Sequence, residues 1–500
     1  MNKLLNRRLA DVEEILIRKF NQFAVEYGAK HILTLGEPNF DTPDAMKMPA
    51  IQALGDGKTY YGSSYGNQNF REAVQRFEKR VNQVDYDLNE IMITHGSTEG
   101  LAAALITMLN PGDEVINLTP AYPLYKNVVA LTGAKIVSVD VSKNNFQVSK
   151  EMLDAAITNR TKVIIITSPN NPTGTILNDE SLAVIYQAVK KHKFFVISDE
   201  VYNQLVYTER RLGFSKYQDI RDYIVVCQSL SKPYAMTGWR LGYMLAPLWF
   251  MESVLKIHQY LVVAVNTFIQ DGGVAALEYD VTPMVESYRA RRDYVVMRLQ
   301  AMDVKFPYPE GAFYVFISVA EFGMDSWRFC EELVRAEGVA LIPGICFDTD
   351  DHVRISYCVE MDTLIAGMEG LERFVTGLRV KKMNSGEFKE GDVVEGRITG
   401  VQSYGIFVRL SDQCSGLVHA SELEKLESRE PSRFFKLGQT IKVRIIRAKP
   451  GGTQFILKIY RERGSSRRIG AANFETTAGF DALQDKIPEW VQYAKDKNWI

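Results

Sequence analysis

Residues 161–202 read T-K-V-I-I-I-T-S-P-N-N-P-T-G-T-I-L-N-D-E-S-L-A-V-I-Y-Q-A-V-K-K-H-K-F-F-V-I-S-D-E-V-Y. Two runs within this stretch, Val163–Thr167 and Phe194–Ser198, are short, apolar and rich in β-branched residues, which marks buried strands. Asp179–His192 between them has the pattern of a helix. The same alternation extends in both directions. Ile91–Thr94, Glu114–Asn117, Lys135–Val139 and Tyr223–Val226 read as further strands, and Gly100–Leu109 as a further helix. Strands alternating with helices predict an α/β fold, a mostly parallel sheet covered on both faces. Ligands of such folds bind in the loops at the carboxyl ends of the strands. From Pro283 to Leu378 a long charged helix (Val285–Met302) and strands near Ala312–Ile317 and Val353–Tyr357 predict a second, smaller α/β lobe.

The 500 residues are 46% hydrophobic and 24% charged, with 59 Lys and Arg against 61 Asp and Glu, a net charge of -2. These values exclude a disordered, collagenous or disulfide-framework chain. The five cysteines (Cys227, Cys330, Cys346, Cys358, Cys414) form no C-x-x-C pair, and the six histidines show no ligand spacing, so no metal is expected. No apolar run approaches a membrane helix, and the charged N-terminal stretch is unlike a signal peptide. The expected location is the cytoplasm.

Four loops that follow the predicted strands are each weak signals: S-P-N-N-P-T-G-T (168–175), D-E-V-Y (199–202), S-L-S-K (229–232) and R-I-S-Y (354–357). Alone, the first is a turn, Asp199 a helix N-cap, Lys232 a surface charge and Arg354 a sheet-edge charge. Together they supply what pyridoxal phosphate (PLP) needs: a lysine for its aldehyde, a carboxylate for its pyridine nitrogen and an anion cradle. With G-W-R at 238–240, the ordered set resembles the class I/II aminotransferases of fold type I, over roughly residues 5–378.

That resemblance implies a role for each matching residue. Lys232 is the lysine that bonds PLP and then serves as base for the proton shift at the substrate Cα. Asp199 pairs with the pyridine nitrogen. Tyr202, on the same helical face, and Asn171 reach the ring hydroxyl, and Tyr122 stacks on the ring. Gly96, Ser97 and Thr98, between a strand and a helix, form a phosphate cup with Ser229 and Arg240. Tyr61 matches a tyrosine that a partner subunit lends to the phosphate, which implies a homodimer. Arg354 clamps the substrate α-carboxylate with its guanidinium fork, and Gly36 meets the same group with its backbone.

The runs A-M-T-G-W-R-L-G-Y, Y-R-A-R-R-D-Y and E-G-A-F-Y-V-F look like the bacterial aromatic-amino-acid aminotransferases of the subgroup that also holds aspartate enzymes. The resemblance implies an aromatic amino donor and a 2-oxo acid acceptor such as 2-oxoglutarate. Aspartate or alanine aminotransferase and PLP-dependent carbon–sulfur lyase are the alternatives. No second arginine for a dicarboxylate side chain is located: Arg291 and Arg292, on a charged helix, read as a solvated face. A non-enzyme alternative is an RNA- or ribosome-binding protein with a scaffold domain, but such a chain should have lost one of Lys232, Asp199 and Arg354, and all three stand.

Composition changes after residue 378. Residues 379–386 read as a polar linker. Short strands follow (Val393–Thr399, Gly405–Leu410, Gly416–His419, Thr440–Ala448, Gln454–Tyr460) and predict a small antiparallel barrel. Residues 387–463 resemble the S1-type RNA-binding OB-fold through G-D-V-V-E-G-R-I-T-G, S-Y-G-I-F-V-R-L and S-G-L-V-H-A-S-E-L. That family implies a base-stacking platform of Tyr404, Phe407 and His419 with Arg444 beside it. Residues 464–500, a basic stretch and an amphipathic helix near 480–495, complete a likeness to small S1-type general stress proteins associated with ribosomes. Between residues 431 and 470 there are 11 Lys or Arg and one acid, so the near-neutral total averages an acidic enzyme with a basic footprint for nucleic acid.

Overall fold

The Phe195–Asp199 strand is the middle one of a seven-stranded sheet. The order is Ile91–Thr94, Gly242–Leu245, Ile224–Ser229, Phe195–Asp199, Thr161–Thr167, Glu114–Thr119, Lys135–Asp140. Every neighbouring pair is parallel except the two made by Gly242–Leu245, a strand absent from the sequence reading. Central strands are buried on both faces, which is why they read as continuous Val and Ile runs. The computed structural model describes residues 5–208, 213–385, 388–402, 405–410, 414–419, 435–448 and 454–460. They fall into two units that divide at Leu371/Glu372.

Local chemistry sets the helices. Asp179–His192 begins where Asn178 accepts the backbone N–H of Ser181 at 2.7 Å. Acids occupy its first turn and Lys190, Lys191 and His192 its last, as the helix dipole favours. Leu182, Ile185, Ala188 and Val189 form its buried stripe, and Ile185→Ala would cost about 2–5 kcal/mol. Gly96–Met108 starts directly beyond the Ile91–Thr94 strand on a glycine with φ +70° and buries Leu101, Leu105 and Met108 against the sheet.

The smaller lobe of this unit has a three-stranded antiparallel sheet with His352–Ser356 between Ile342–Pro343 and Tyr314–Ser318. His31–Ile32 pairs in parallel with Val339–Ala340, which brings the N-terminal segment beside that sheet. The predicted long helix spans Thr282–Ala301. All five cysteines are buried. Among the described residues no helix is long and apolar enough to cross a membrane, and no group of His, Cys, Asp or Glu is placed to hold a metal ion.

Two organisational expectations are corrected. Residues 379–385 are not a linker but the last turns of the helix Met361–Ser385: Lys and Arg are good helix formers and carry the helix on. The barrel is closed, in the order Val393–Gln402, Gly405–Arg409, Ser415–His419, Gln454–Ile459, Thr440–Ala448. It is not wholly antiparallel, because Ser415–His419 and Gln454–Ile459 close it as a parallel pair. Its core holds Ile398, Ile406, Val408, Val418, Val443 and Leu457.

Candidate active site

Parallel strands deliver their following loops to one edge of the sheet. There the chain encloses a cavity of about 710 Å³, within the range of small-molecule sites. Gly36, Ser97, Thr98, Tyr122, Asn171, Asp199, Tyr202, Ser229, Lys232, Arg240 and Arg354 all line it.

Lys232 follows the Ile224–Ser229 strand, and its Nζ donates to the carbonyl oxygen of Gly36 at 2.5 Å. Burial pushes its pKa down to about 8, so at neutrality about a tenth of the amine is free of its proton. Asp199 closes the Phe195–Asp199 strand. It is not a helix N-cap: residues 201–204 are turns, because the chain bends at once toward Asn203 and Leu205 instead of propagating i to i+4 bonds. Oδ2 of Asp199 accepts the hydroxyl of Tyr125 at 2.5 Å, while Oδ1 is buried without a partner. Burial raises this carboxyl to about 6 against the opposing pull of Tyr125 and the Val201 backbone N–H. An unpartnered buried carboxylate oxygen facing a cavity is a site for a cationic N–H.

At the cavity floor, Gly96 takes φ +70°, which strains any L side chain, and a Cβ there would lie 2.6 Å from Nη2 of Arg240, which would have to move. Gly96 does not itself line the cavity, but it lets the guanidinium rest against the helix start where the N–H groups of Ser97 and Thr98 point outward. The Ser229 hydroxyl donates to Ser231 Oγ at 2.8 Å, which makes Ser231 a supporting residue. Helix N-terminus, hydroxyl and guanidinium together form an anion cradle.

Arg354 is 3% exposed in the central strand of the small sheet, so it is not an edge charge. Nη1 donates to Asn171 Oδ1 and Nη2 to the Thr34 carbonyl, each at 2.8 Å, and Nε has no partner. The guanidinium lies 4.4 Å from the Tyr314 ring centroid and 5.0 Å from that of Phe347. Tyr314 also meets Tyr202, hydroxyl to hydroxyl, at 3.0 Å.

Tyr125, Tyr314 and Ser231 were not singled out in the sequence. Tyr125 lies in the first turn of the helix Leu124–Thr132, and Tyr122 precedes that helix, so helical spacing alone does not join them. Tyr61 is not in the cavity; it stands 88% exposed on the surface of its own chain. Arg291 and Arg292 are not solvated but 3% and 6% exposed. Arg291 donates to Asn39 Oδ1 at 2.6 Å and stacks near Phe40 and Tyr288, and Arg292 packs against Tyr207 and Tyr308. Aromatic faces and carbonyls from distant segments replace water around both.

On the barrel, Phe407 and His419 lie on neighbouring strands and face outward, as the burial alternation of Gly405–Arg409 and Ser415–His419 shows. Tyr404 lies outside the described residues, as do 480–495. Arg444 stands two strands from His419 across the closure of the barrel: Val418 is in register with Leu457, which sets His419 level with Lys458, and Lys458 is in register with Arg444, roughly 10 Å away. Arg444 also packs over Tyr460, at 5.3 Å. The cations nearest the register of Phe407 are Arg409, two residues on and on the same face, and Arg397 directly opposite Arg409.

Residues 30–370 match the family model of aminotransferase class I and II. The chain belongs to that family. Class I/II aminotransferases are PLP-dependent. This aminotransferase is 38% identical over 394 residues to a probable N-acetyl-LL-diaminopimelate aminotransferase of Bacillus subtilis, covering 77% of this chain and all of the relative. It is 35% identical over 344 residues to an aspartate aminotransferase of Thermotoga maritima, 69% of this chain and 90% of that one. Among solved structures, an aromatic aminotransferase from Pyrococcus horikoshii superposes with a TM-score of 0.68 at 34% identity, over 71% and 98% of the two chains. Residues 387–459 match the S1 RNA binding domain, so the aminotransferase carries an S1 barrel at its C-terminal side.

Proposed function

We propose that the enzyme transfers the amino group of an aromatic L-amino acid to a 2-oxo acid such as 2-oxoglutarate. The observation that carries this is the convergence of Lys232, Asp199 and Arg354 on one cavity: an amine with a lowered pKa, a carboxylate with a bare oxygen and a fork for a carboxylate. Bound PLP supplies an electron sink that stabilises a carbanion at the substrate Cα. Lys232 holds it covalently and then moves the proton from Cα, a task suited to a base that titrates near working pH. Asp199 keeps the pyridine nitrogen protonated through Oδ1, and Tyr125 orients it. Asn171, whose Oδ1 already serves Arg354, has amide hydrogens left for the ring hydroxyl, with Tyr202 as second donor. Tyr122 stacks on the ring, the residues of the cradle take the phosphate, and Arg354 with the Gly36 backbone takes the α-carboxylate. Tyr61, exposed in one copy, reaches the phosphate of a second copy in a homodimer.

The C-terminal barrel binds single-stranded RNA on the face of Phe407 and His419, and through RNA it associates with ribosomes; the enzyme resides in the cytoplasm. A donor panel of Tyr, Phe, Asp, Ala and Leu with 2-oxoglutarate tests the first reading. Tyrosine and phenylalanine should lead, and a preference for aspartate or alanine would overturn the aromatic assignment.

A further inference from the structure

The helix Leu248–Val262 buries Phe250, Met251 and Val254 in one core with Leu101, Leu105 and Met108 of the helix Gly96–Met108. The next position of that buried stripe, where an apolar residue would pack, is His258, and it is fully buried. A polar ring there costs stability unless its nitrogens are bonded. Nδ1 of His258 lies 3.0 Å from Oε1 of Glu99, while Nε2 is buried and has no partner among the described residues. A second ring proton would sit on Nε2 as a buried donor with no acceptor, so the arrangement suits a neutral ring whose Nδ1–H donates to Glu99.

The other oxygen of Glu99, Oε2, accepts the backbone N–H of His95 at 3.1 Å. His95 immediately precedes the helix Gly96–Met108, and its own side chain makes no cap. Glu99 thus fastens the entry of the chain from inside the helix and is itself fastened to a neighbouring helix. Gly242 closes a third side: a Cβ there would stand 3.0 Å from the carbonyl carbon of Gly96 and from the nitrogen of Ser97. Ser97 and Thr98 line the cavity and Glu99 does not. Its carboxylate lies within one turn of the N–H groups of the cradle, and by charge alone it would oppose an anion bound there.

We propose that Glu99 and His258 are positioning residues for the anion cradle. The two carboxylate oxygens, one on the N–H of His95 and one on Nδ1–H of His258, hold the first turn of the helix at the rotation that aims the N–H groups of Ser97 and Thr98 into the cavity. This rests on the reading of the cradle as the phosphate site of PLP and adds what keeps it in shape. An amide in place of Glu99 has one acceptor oxygen for two donors.

The test compares PLP with pyridoxal, which keeps the ring and aldehyde and lacks the phosphate. The full chain, freed of cofactor, is titrated with each as wild type, Glu99→Gln, His258→Leu and His258→Gln, and the phosphorus NMR resonance of bound PLP is recorded. Glu99→Gln and His258→Leu should weaken PLP about 10- to 100-fold relative to pyridoxal and shift the phosphorus resonance. His258→Gln, which offers an amide N–H in place of Nδ1–H, should restore part of both, and it carries the comparison if the leucine variant does not fold. Tighter PLP binding by Glu99→Gln would show that Glu99 acts by charge and overturn the proposal. Equal losses for PLP and pyridoxal, the mark of a general structural role, would overturn it too. A wild type that binds PLP no more tightly than pyridoxal sinks the cradle reading itself; a wild type that discriminates, with variants that keep its ratio, sinks only the positioning role.

Discussion

Tyr125 donates its hydroxyl to Oδ2 of Asp199 and leaves Oδ1 buried without a partner. The two oxygens of one carboxylate are thereby given different tasks. One is fixed by the fold, and the other is held open for an N–H that the chain does not supply.

Tyr125→Phe keeps the ring and removes this donor. Asp199, already raised to about 6, should rise further, so the acid limb of the pH–rate profile moves upward and kcat falls about tenfold. An unchanged acid limb in a folded variant would show that Tyr125 only fills space.

Attachment of PLP to the cofactor-free protein needs the unprotonated amine of Lys232. Its rate should climb about tenfold per pH unit below 8 and level off above it, because burial has lowered this lysine from 10.5 to about 8. Stopped-flow absorbance between pH 6.5 and 9.5, as a rough span, reads the midpoint; a rate still climbing above 9 would contradict the burial argument.

Lys232→Ala should abolish turnover and leave the affinity for single-stranded RNA intact. Loss of both activities, measured on the same preparation, would contradict two independent functions in one chain.

Arg354→Lys keeps the charge but loses the fork and the stacking between Tyr314 and Phe347. KM should rise about 10- to 100-fold for every amino acid, diacid or aromatic alike. A rise confined to diacids would overturn the role argued for Arg354.

On the barrel, Phe407→Ala should weaken single-stranded RNA about tenfold, and Arg409→Ala should reduce the salt slope by about 0.7. Arg444→Ala should reduce the slope as well; an unchanged slope would remove Arg444 from the binding face.

The strands were legible because a parallel sheet buries both faces, so Val163–Ile166 and Ile224–Val226 leave unbroken apolar runs. The loop motifs were legible because one cofactor demands several unusual residues in a fixed order. Arg291 and Arg292 were misread because a charge on a helix says nothing about what packs over it: Phe40, Tyr207 and Tyr308 come from other parts of the chain. Strand register is a non-local property, and counting along the sequence could not show that Lys458 stands between His419 and Arg444.

The close fit of Gly96 under Arg240 restricts the order in which this chain can change. With φ at +70° and a guanidinium 2.6 Å from where a Cβ would sit, any side chain at position 96 strains the backbone and displaces the end of Arg240 from the helix start. A shorter side chain at 240 would open the space but surrender the cation. Any lineage that altered the cradle would therefore pass first through a form with weakened hold on its cofactor, and position 96 is held in place by a residue 144 positions away.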